Sequence, residues 1–289
     1  MKKLLFQFDT DEHPAVFDTV VAYDGGADHV SSFGGITPFN VGSLVEGAIF
    51  TRAPKDKKNT AIFIGGSSII AGQELLAAVQ QKFFMGFKVS VMIDCNGCNT
   101  TAAAGVATLA TNVSLQGKKA VVLAGTGPVG QRAAVMLALE GAEVTLTSRQ
   151  IYGAEEACYA MQKRYGVNIT AAEAPDCDRR GEVIKGAQIV FAAGAAGVEL
   201  LRPEHWEHNR DIEIMIDANA TPPLGIGGAD MMDRGFERHG KVIWGAIGFG
   251  NFKLALHRIC IAKLFEDNNQ ILDAENIYAI AKQMSTQGQ

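Results

Sequence analysis

The sequence predicts an α/β protein of two domains, the C-terminal one a Rossmann dinucleotide-binding fold. Three observations carry this. Strand-like apolar runs alternate with helical patterns along nearly the whole chain, the signature of mainly parallel sheets covered by helices. The chain has 289 residues, enough for two cores of ordinary size. A G-x-G-x-x-G run at 125–130 follows a strong strand directly.

In the first domain, expected over 1–112, strands are predicted at 4–8, 60–64 and 88–93. Helices are predicted over 14–22, from the Thr37-Pro38 cap and first-turn proline, and over 72–83. Residues 99–111, rich in alanine and threonine, read as a buried small-residue helix leading out of this domain. The second domain, expected over 113–250, has predicted strands at 120–124, 143–147, 168–172, 188–192, 212–216 and 242–246. Two closing helices, 251–265 and 273–284, lie in a 251–289 segment expected to pack back on the first domain. The long irregular stretch 221–228 marks a functional loop.

Composition excludes several function classes. Hydrophobic residues are 47% and charged residues 20%, net charge is −5, and no lysine/arginine run exceeds two residues. No nucleic-acid partner or anionic membrane surface is expected. No apolar run approaches the ~18 residues of a membrane span. The apolar run after Met1-Lys2-Lys3 is cut off by Asp9-Thr10-Asp11-Glu12, too early for a signal peptide, so a strand and a cytoplasmic location are expected. Five scattered cysteines read as reduced thiols.

The glycine run has a specific chemistry. Gly125 allows a tight turn, Gly127 lets backbone approach a pyrophosphate, and Gly130 lets the following helix pack on the strand. Thr126, Pro128 and Val129 complete the loop, whose free N–H groups at the helix start suit phosphate. NAD-binding versions place an acid ~20 residues onward, on the ribose hydroxyls. Here the second strand ends Thr147-Ser148-Arg149, without a carboxylate. Arg149 can pair with a 2′-phosphate and Ser148 can donate to it, so NADP is the expected cofactor.

The sequence also resembles the bacterial NADP-dependent methylene-tetrahydromethanopterin dehydrogenases, some of which use methylene-tetrahydrofolate. The resemblance spans essentially the whole chain. It rests on Leu4-Leu5-Phe6-Gln7-Phe8-Asp9-Thr10-Asp11, Tyr23-Asp24-Gly25-Gly26-Ala27-Asp28-His29, Asn96-Gly97-Cys98-Asn99-Thr100-Thr101-Ala102-Ala103-Ala104-Gly105 and the glycine loop. Pro222-Pro223-Leu224-Gly225-Ile226-Gly227-Gly228 and Leu256-His257-Arg258-Ile259-Cys260-Ile261-Ala262-Lys263-Leu264-Phe265 extend it. It implies a pterin-binding first domain, an active-site cleft between the domains and a homo-oligomer. The implied reaction moves a hydride from the methylene carbon bridging two pterin nitrogens to nicotinamide, leaving a delocalised methenyl cation. No proton need be abstracted, so catalysis is orientation, exclusion of water and electrostatic support.

Candidate residues follow. Asn99, Thr100 and Thr101 can contact substrate from the start of their helix, or simply cap it. Asp24, Gly25 and Asp28 offer carboxylates and a flexible loop to a pterin, with a plain solvated turn as the alternative. Phe17 can pack on the pterin, although core packing is the better expectation for it alone. Lys253, just after the glycine-rich 245–250 segment at the mouth of the last strand, is the candidate catalytic cation, orienting substrate. Ala193 and Gly194 after one strand, Asn219 after the next, and Gly248 are expected to border ribose and nicotinamide.

Cys95-Asn96-Gly97-Cys98 lacks the second ligand pair a structural zinc needs, and His205-Trp206-Glu207-His208 reads as a short surface helix, so no metal is expected. Two other functions compete. A shikimate-dehydrogenase-like enzyme would need that family's lysine–aspartate pair, which is not located in the first domain. A non-catalytic NADP-sensing module would use cofactor binding only to shift a conformational equilibrium.

Overall fold

In the computed structural model, which describes residues 1–287, the chain forms two compact units. One comprises residues 1–100 and 254–281, the other residues 101–253 and the chain from Lys282 on. The elements of the first half are β1 (Leu4–Asp9), α1 (Val16–Asp24), β2 (His29–Phe33), α2 (Gly42–Phe50), β3 (Thr60–Gly65), α3 (Ile69–Gln81), β4 (Ser90–Ile93) and α4 (Cys98–Asn112). Then come β5 (Lys119–Leu123), α5 (Pro128–Leu139), β6 (Glu143–Ser148), α6 (Ile151–Tyr165), β7 (Ile169–Glu173), α7 (Cys177–Val183), β8 (Ile189–Ala192) and α8 (Pro203–Trp206). The chain closes with β9 (Ile214–Asp217), β10 (Arg234–Arg238), β11 (Lys241–Trp244), α9 (Ala246–Lys263), β12 (Ile271–Leu272) and α10 (Ala274–Gln287).

The first unit holds a five-stranded sheet in the order β12-β4-β3-β1-β2, with every pair parallel. Its central strand β3 is buried at all six positions, as a parallel strand covered on both faces must be. Ile62 and Ile64 pack with Val45 and Ile49 of α2 and Leu75 and Val79 of α3. Full burial of each such side chain contributes roughly 1.5–3 kcal/mol.

The second unit holds a seven-stranded sheet, β10-β11-β9-β8-β5-β6-β7, parallel except for the edge pair β10–β11. Without that edge strand, the order is the 3-2-1-4-5-6 arrangement of a Rossmann fold, with its reversal between β5 and β8. Gly105 of α4 sits on this sheet so closely that a Cβ there would lie 2.7 Å from the Phe191 ring. The small-residue character of that helix is thus a packing requirement.

Two readings are corrected here. The helix expected from Thr37-Pro38 begins only at Gly42, because Asn40 accepts the Thr37 amide (2.8 Å) and donates to the Gly35 carbonyl (3.0 Å), closing a turn instead. The 205–208 segment is helical only as far as Trp206, whose indole is fully buried and donates to the Gly227 carbonyl at 2.9 Å. It is an anchor in the core. No helix among the described residues is long and apolar enough to cross a membrane.

Candidate functional site

The geometry of the second unit centres on the turn after β5. Ala124 takes a left-handed φ of 51° there, and its amide donates to the Thr147 hydroxyl at 3.0 Å. The Gly125 amide donates to the Thr147 carbonyl at 2.9 Å. Two of the three loop glycines are demanded by the protein itself. A Cβ on Gly125 would lie 2.7 Å from Leu146, and one on Gly130 would lie 2.5 Å from the Gly125 Cα. Gly127 differs: its φ of −74° and ψ of 171° suit any residue, and a Cβ there would meet nothing within 4 Å. Its lack of a side chain therefore leaves room for something outside the chain. Gly127 also caps α5, whose first turn opens with Pro128. Gln131 donates to the Thr126 carbonyl at 2.7 Å, fixing the loop. A dinucleotide pyrophosphate fits this bare backbone and helix N-terminus.

Ser148 and Arg149 stand at the carboxyl end of β6. The Ser148 hydroxyl accepts weakly from the Gln150 amide at 3.5 Å. Arg149 is exposed, and its guanidinium has no partner among the described residues. The Ala193 amide is tied to the Leu123 carbonyl at 3.1 Å, and Gly194 packs on Leu200. Asn219 is buried with both amide ends engaged, donating to the Pro223 carbonyl (3.1 Å) and accepting from the Thr221 amide (2.9 Å). Asp217 anchors the same loop, accepting from the amides of Asn219 (3.0 Å) and Ile226 (2.8 Å). Burial raises its carboxyl above the usual carboxylate range. Gly248 cannot carry a side chain, since a Cβ would lie 1.8 Å from the Asp233 carbonyl. Lys253 is half-buried on α9.

In the first unit the strand order reverses between β1 and β3, the position at which parallel α/β sheets open a ligand crevice beyond the carboxyl ends of their strands. Asp9 ends β1, with Thr10 and Asp11 after it; Gly66 and Ser67 follow β3, and Asp94 follows β4. Asp94 is fully buried and caps α4. It accepts from the amides of Asn99 (2.8 Å) and Thr100 (3.2 Å) and from the Thr100 hydroxyl (2.6 Å). Asn99 also donates to the Ile93 carbonyl at 2.7 Å. Of the two readings for Asn99 and Thr100, the capping acceptor is supplied by Asp94, and both residues serve it as donors. Thr101 is half-buried in the same turn. Asp94 lies 4.0 Å from the buried His257 ring, which stacks on Phe63. Sequence reasoning missed Asp94, because its capping partners lie five and six residues on, past a kink at Asn96, and His257 is reached only through the fold.

Phe17 is 48% exposed rather than packed in the core, with its ring 6.2 Å from that of His257. The α1–β2 connection falls at the opposite edge of the sheet. Asp28 pairs with the Lys3 backbone just before β1, donating to its carbonyl (2.9 Å) and accepting its amide (2.7 Å). Asp24 pairs with Arg258 at 2.8 Å, and a Cβ on Gly25 would lie 2.6 Å from Ile261. The fold therefore places Asp24, Gly25 and Asp28 at the amino-terminal edge, away from the crevice. Cys95 and Cys98 are buried thiols, the first donating to the Gly65 carbonyl (3.8 Å) and the second to the Asn99 side-chain oxygen (3.6 Å).

A parallel Rossmann sheet with a bare glycine turn at a helix start, joined to a second parallel α/β unit, is the architecture of two-unit oxidoreductases that work with nicotinamide nucleotides. The fold itself is shared with the ligand-free 5-ketofructose reductase of Gluconobacter sp. strain CHM43, at a TM-score of 0.55 and 16% identity over 98% of this chain and 99% of that one. A sequence profile described as methylene-tetrahydromethanopterin dehydrogenase, N-terminal, matches residues 16–96. The chain is 56% identical over 286 residues to the "Bifunctional protein MdtA" of Methylorubrum extorquens, covering 98% of this chain and 99% of the relative. It is 31% identical, over 95% and 96% of the two chains, to the same organism's "NAD(P)-dependent methylenetetrahydromethanopterin dehydrogenase". The chain belongs to the methylene-tetrahydromethanopterin dehydrogenase family, and it is an oxidoreductase of one-carbon metabolism.

Proposed function

We propose that the protein oxidises methylene-tetrahydromethanopterin, methylene-tetrahydrofolate or both to the methenyl form with NADP as hydride acceptor. The observation that carries this is 56% identity maintained across the whole chain to a family relative. The unpartnered Arg149 at the end of β6 supports NADP over NAD, because a guanidinium fork matches a 2′-phosphate and no carboxylate occupies that strand end.

When bound, the nicotinamide supplies the hydride-accepting carbon. The chain's own residues do the rest. The 125–130 loop and the start of α5 hold the pyrophosphate through backbone N–H groups, with Gly127 giving the close approach. Ser148 and Arg149 hold the 2′-phosphate, and the backbone at Ala193, Gly194, Asn219 and Gly248 borders the ribose and nicotinamide. Lys253 orients the pterin, with Phe17, Asn99, Thr100 and Thr101 as further contacts. Loss of hydride leaves positive charge over two substrate nitrogens. The aspartates at the carboxyl edge of the first sheet favour that charge electrostatically. The oligomeric state expected of the family and a cytoplasmic setting belong to the same proposal.

A spectrophotometric assay with NADP and each methylene-pterin in turn tests this reading. Appearance of reduced cofactor is expected with one or both. No reduced cofactor from either would overturn it and favour an NADP-sensing module.

A further inference from the structure

We propose that Asp11 is the residue of the first unit that recognises the pterin ring, accepting its N3–H and 2-amino protons. This rests on the pterin substrate proposed above and assigns it a binding group.

Among the aspartates at the carboxyl ends of the first unit's strands, Asp9 is 1% exposed, and its two oxygens accept the amides of Asp11 (2.9 Å) and Ala15 (3.1 Å). Asp94 is fully buried, with its oxygens taken by Asn99 and Thr100. Asp11 is only half-buried, and it sits at the reversal between β1 and β3. Its carboxylate is already oriented. Oδ1 accepts from the Ser67 hydroxyl at 2.9 Å and Oδ2 from the Ser67 amide at 3.0 Å. Its own carbonyl accepts from Gly35 at 2.7 Å. Each carboxylate oxygen keeps a further lone pair for an added donor.

The surroundings suit a flat ring. The loops beside Asp11 carry Gly34, Gly35 and Gly66. A Cβ on Gly34 would lie 2.0 Å from the Glu12 carbonyl, and one on Gly66 would lie 1.9 Å from the Thr10 hydroxyl. Gly34 and Gly66 are thus glycines for the protein's own packing, whereas a Cβ on Gly35 would meet nothing within 4 Å, which leaves open space beside Asp11 for a planar heterocycle. A 2-amino-4-oxo ring presents two adjacent N–H donors on one edge, spaced to meet the two oxygens of one carboxylate. A 2,4-dioxo ring presents a carbonyl in place of the amino group, which repels that carboxylate.

The test is competitive inhibition of the dehydrogenase reaction by 6,7-dimethyl-tetrahydropterin and by its 2,4-dioxo counterpart, in wild type and Asp11→Asn. Wild type should bind the amino compound at least tenfold more tightly. Asp11→Asn should bring the two within about threefold, with the KM for NADP unchanged, since the charge-assisted contact is lost. A purely structural role for Asp11 would weaken both inhibitors equally and keep their ratio, which would overturn the assignment. Should Asp11→Asn not fold, equal inhibition of wild type by the two compounds would overturn it, and strong preference would be followed up with Asp11→Glu, whose displaced carboxylate should reduce the ratio. Turnover by wild type without discrimination removes the Asp11 assignment alone. Absence of turnover removes the proposed function as well.

Discussion

The Thr147 hydroxyl holds the amide of Ala124 at 3.0 Å, which ties the middle of the Rossmann sheet to the first residue of the phosphate-binding turn. Thr147 is fully buried, and Ala124 is held there in a left-handed conformation that a non-glycine residue rarely adopts. Thr147→Val removes the acceptor and leaves the amide unmatched. A stability loss of about 1–3 kcal/mol is expected, together with weaker NADP binding. Thermal melts with and without NADP would show both, the stabilising shift by cofactor being smaller in the variant.

Gly127 and Gly130 should respond oppositely to the same added methyl group. Gly127→Ala is expected to keep the melting temperature of wild type and to lose at least tenfold in NADP affinity, because its Cβ enters space only a ligand would fill. Gly130→Ala forces backbone against backbone and is expected to destabilise the unit by about 1–3 kcal/mol. Titration calorimetry and melting curves separate the two effects.

Arg149→Ala should raise the KM for NADP about tenfold to a hundredfold while leaving that for NAD nearly unchanged, the loss corresponding to a charge-assisted contact of about 1.5–3 kcal/mol. Equal effects on both cofactors would place the 2′-phosphate elsewhere.

Lys253→Ala should lower kcat/KM for the pterin by about tenfold or more with NADP binding preserved, as expected for loss of an orienting contact. Unchanged kcat and KM in steady-state assays would remove it from the site.

Asp217 makes a pH-dependent contribution. Burial raises its folded carboxyl above the unfolded value, so the folded state holds the proton more tightly. The associated stability is fully present below the unfolded pKa and is lost as pH rises through the folded one. Asp217→Asn removes that dependence while leaving one of the Asn219 and Ile226 amides poorly matched, at about 1–3 kcal/mol. The melting temperature of wild type relative to the variant should be most favourable at the acid end and decline as pH rises.

The parts of the fold legible in the sequence are those where burial dominates composition. The central strands β3, β5, β8 and β9 are continuous apolar runs because they are covered on both faces, and the reading located all four. The strands it missed lie at sheet edges. β2 reads His-Val-Ser-Ser-Phe, β10 reads Arg-Gly-Phe-Glu-Arg, and β12 is two residues long. Partly solvated edges need no apolar pattern. The glycine turn after β5 was legible because Gly125 and Gly130 are constrained locally. Asp94 was not, because the kink at Asn96 hides its capping of residues 99 and 100 and only the fold brings residue 257 to it. The carboxylates at 24 and 28 show the converse, since a motif fixes composition but not the end of the sheet at which it falls.

The division of the chain has a consequence for biogenesis. Strand β12 and the 254–281 segment complete the first unit, whereas residues 101–253 of the second form one uninterrupted stretch. During synthesis the dinucleotide-binding stretch emerges while the unit that precedes it still lacks its last strand. The first unit can finish assembly only after residues 271–272 have left the ribosome, by which time the whole 101–253 stretch has already emerged.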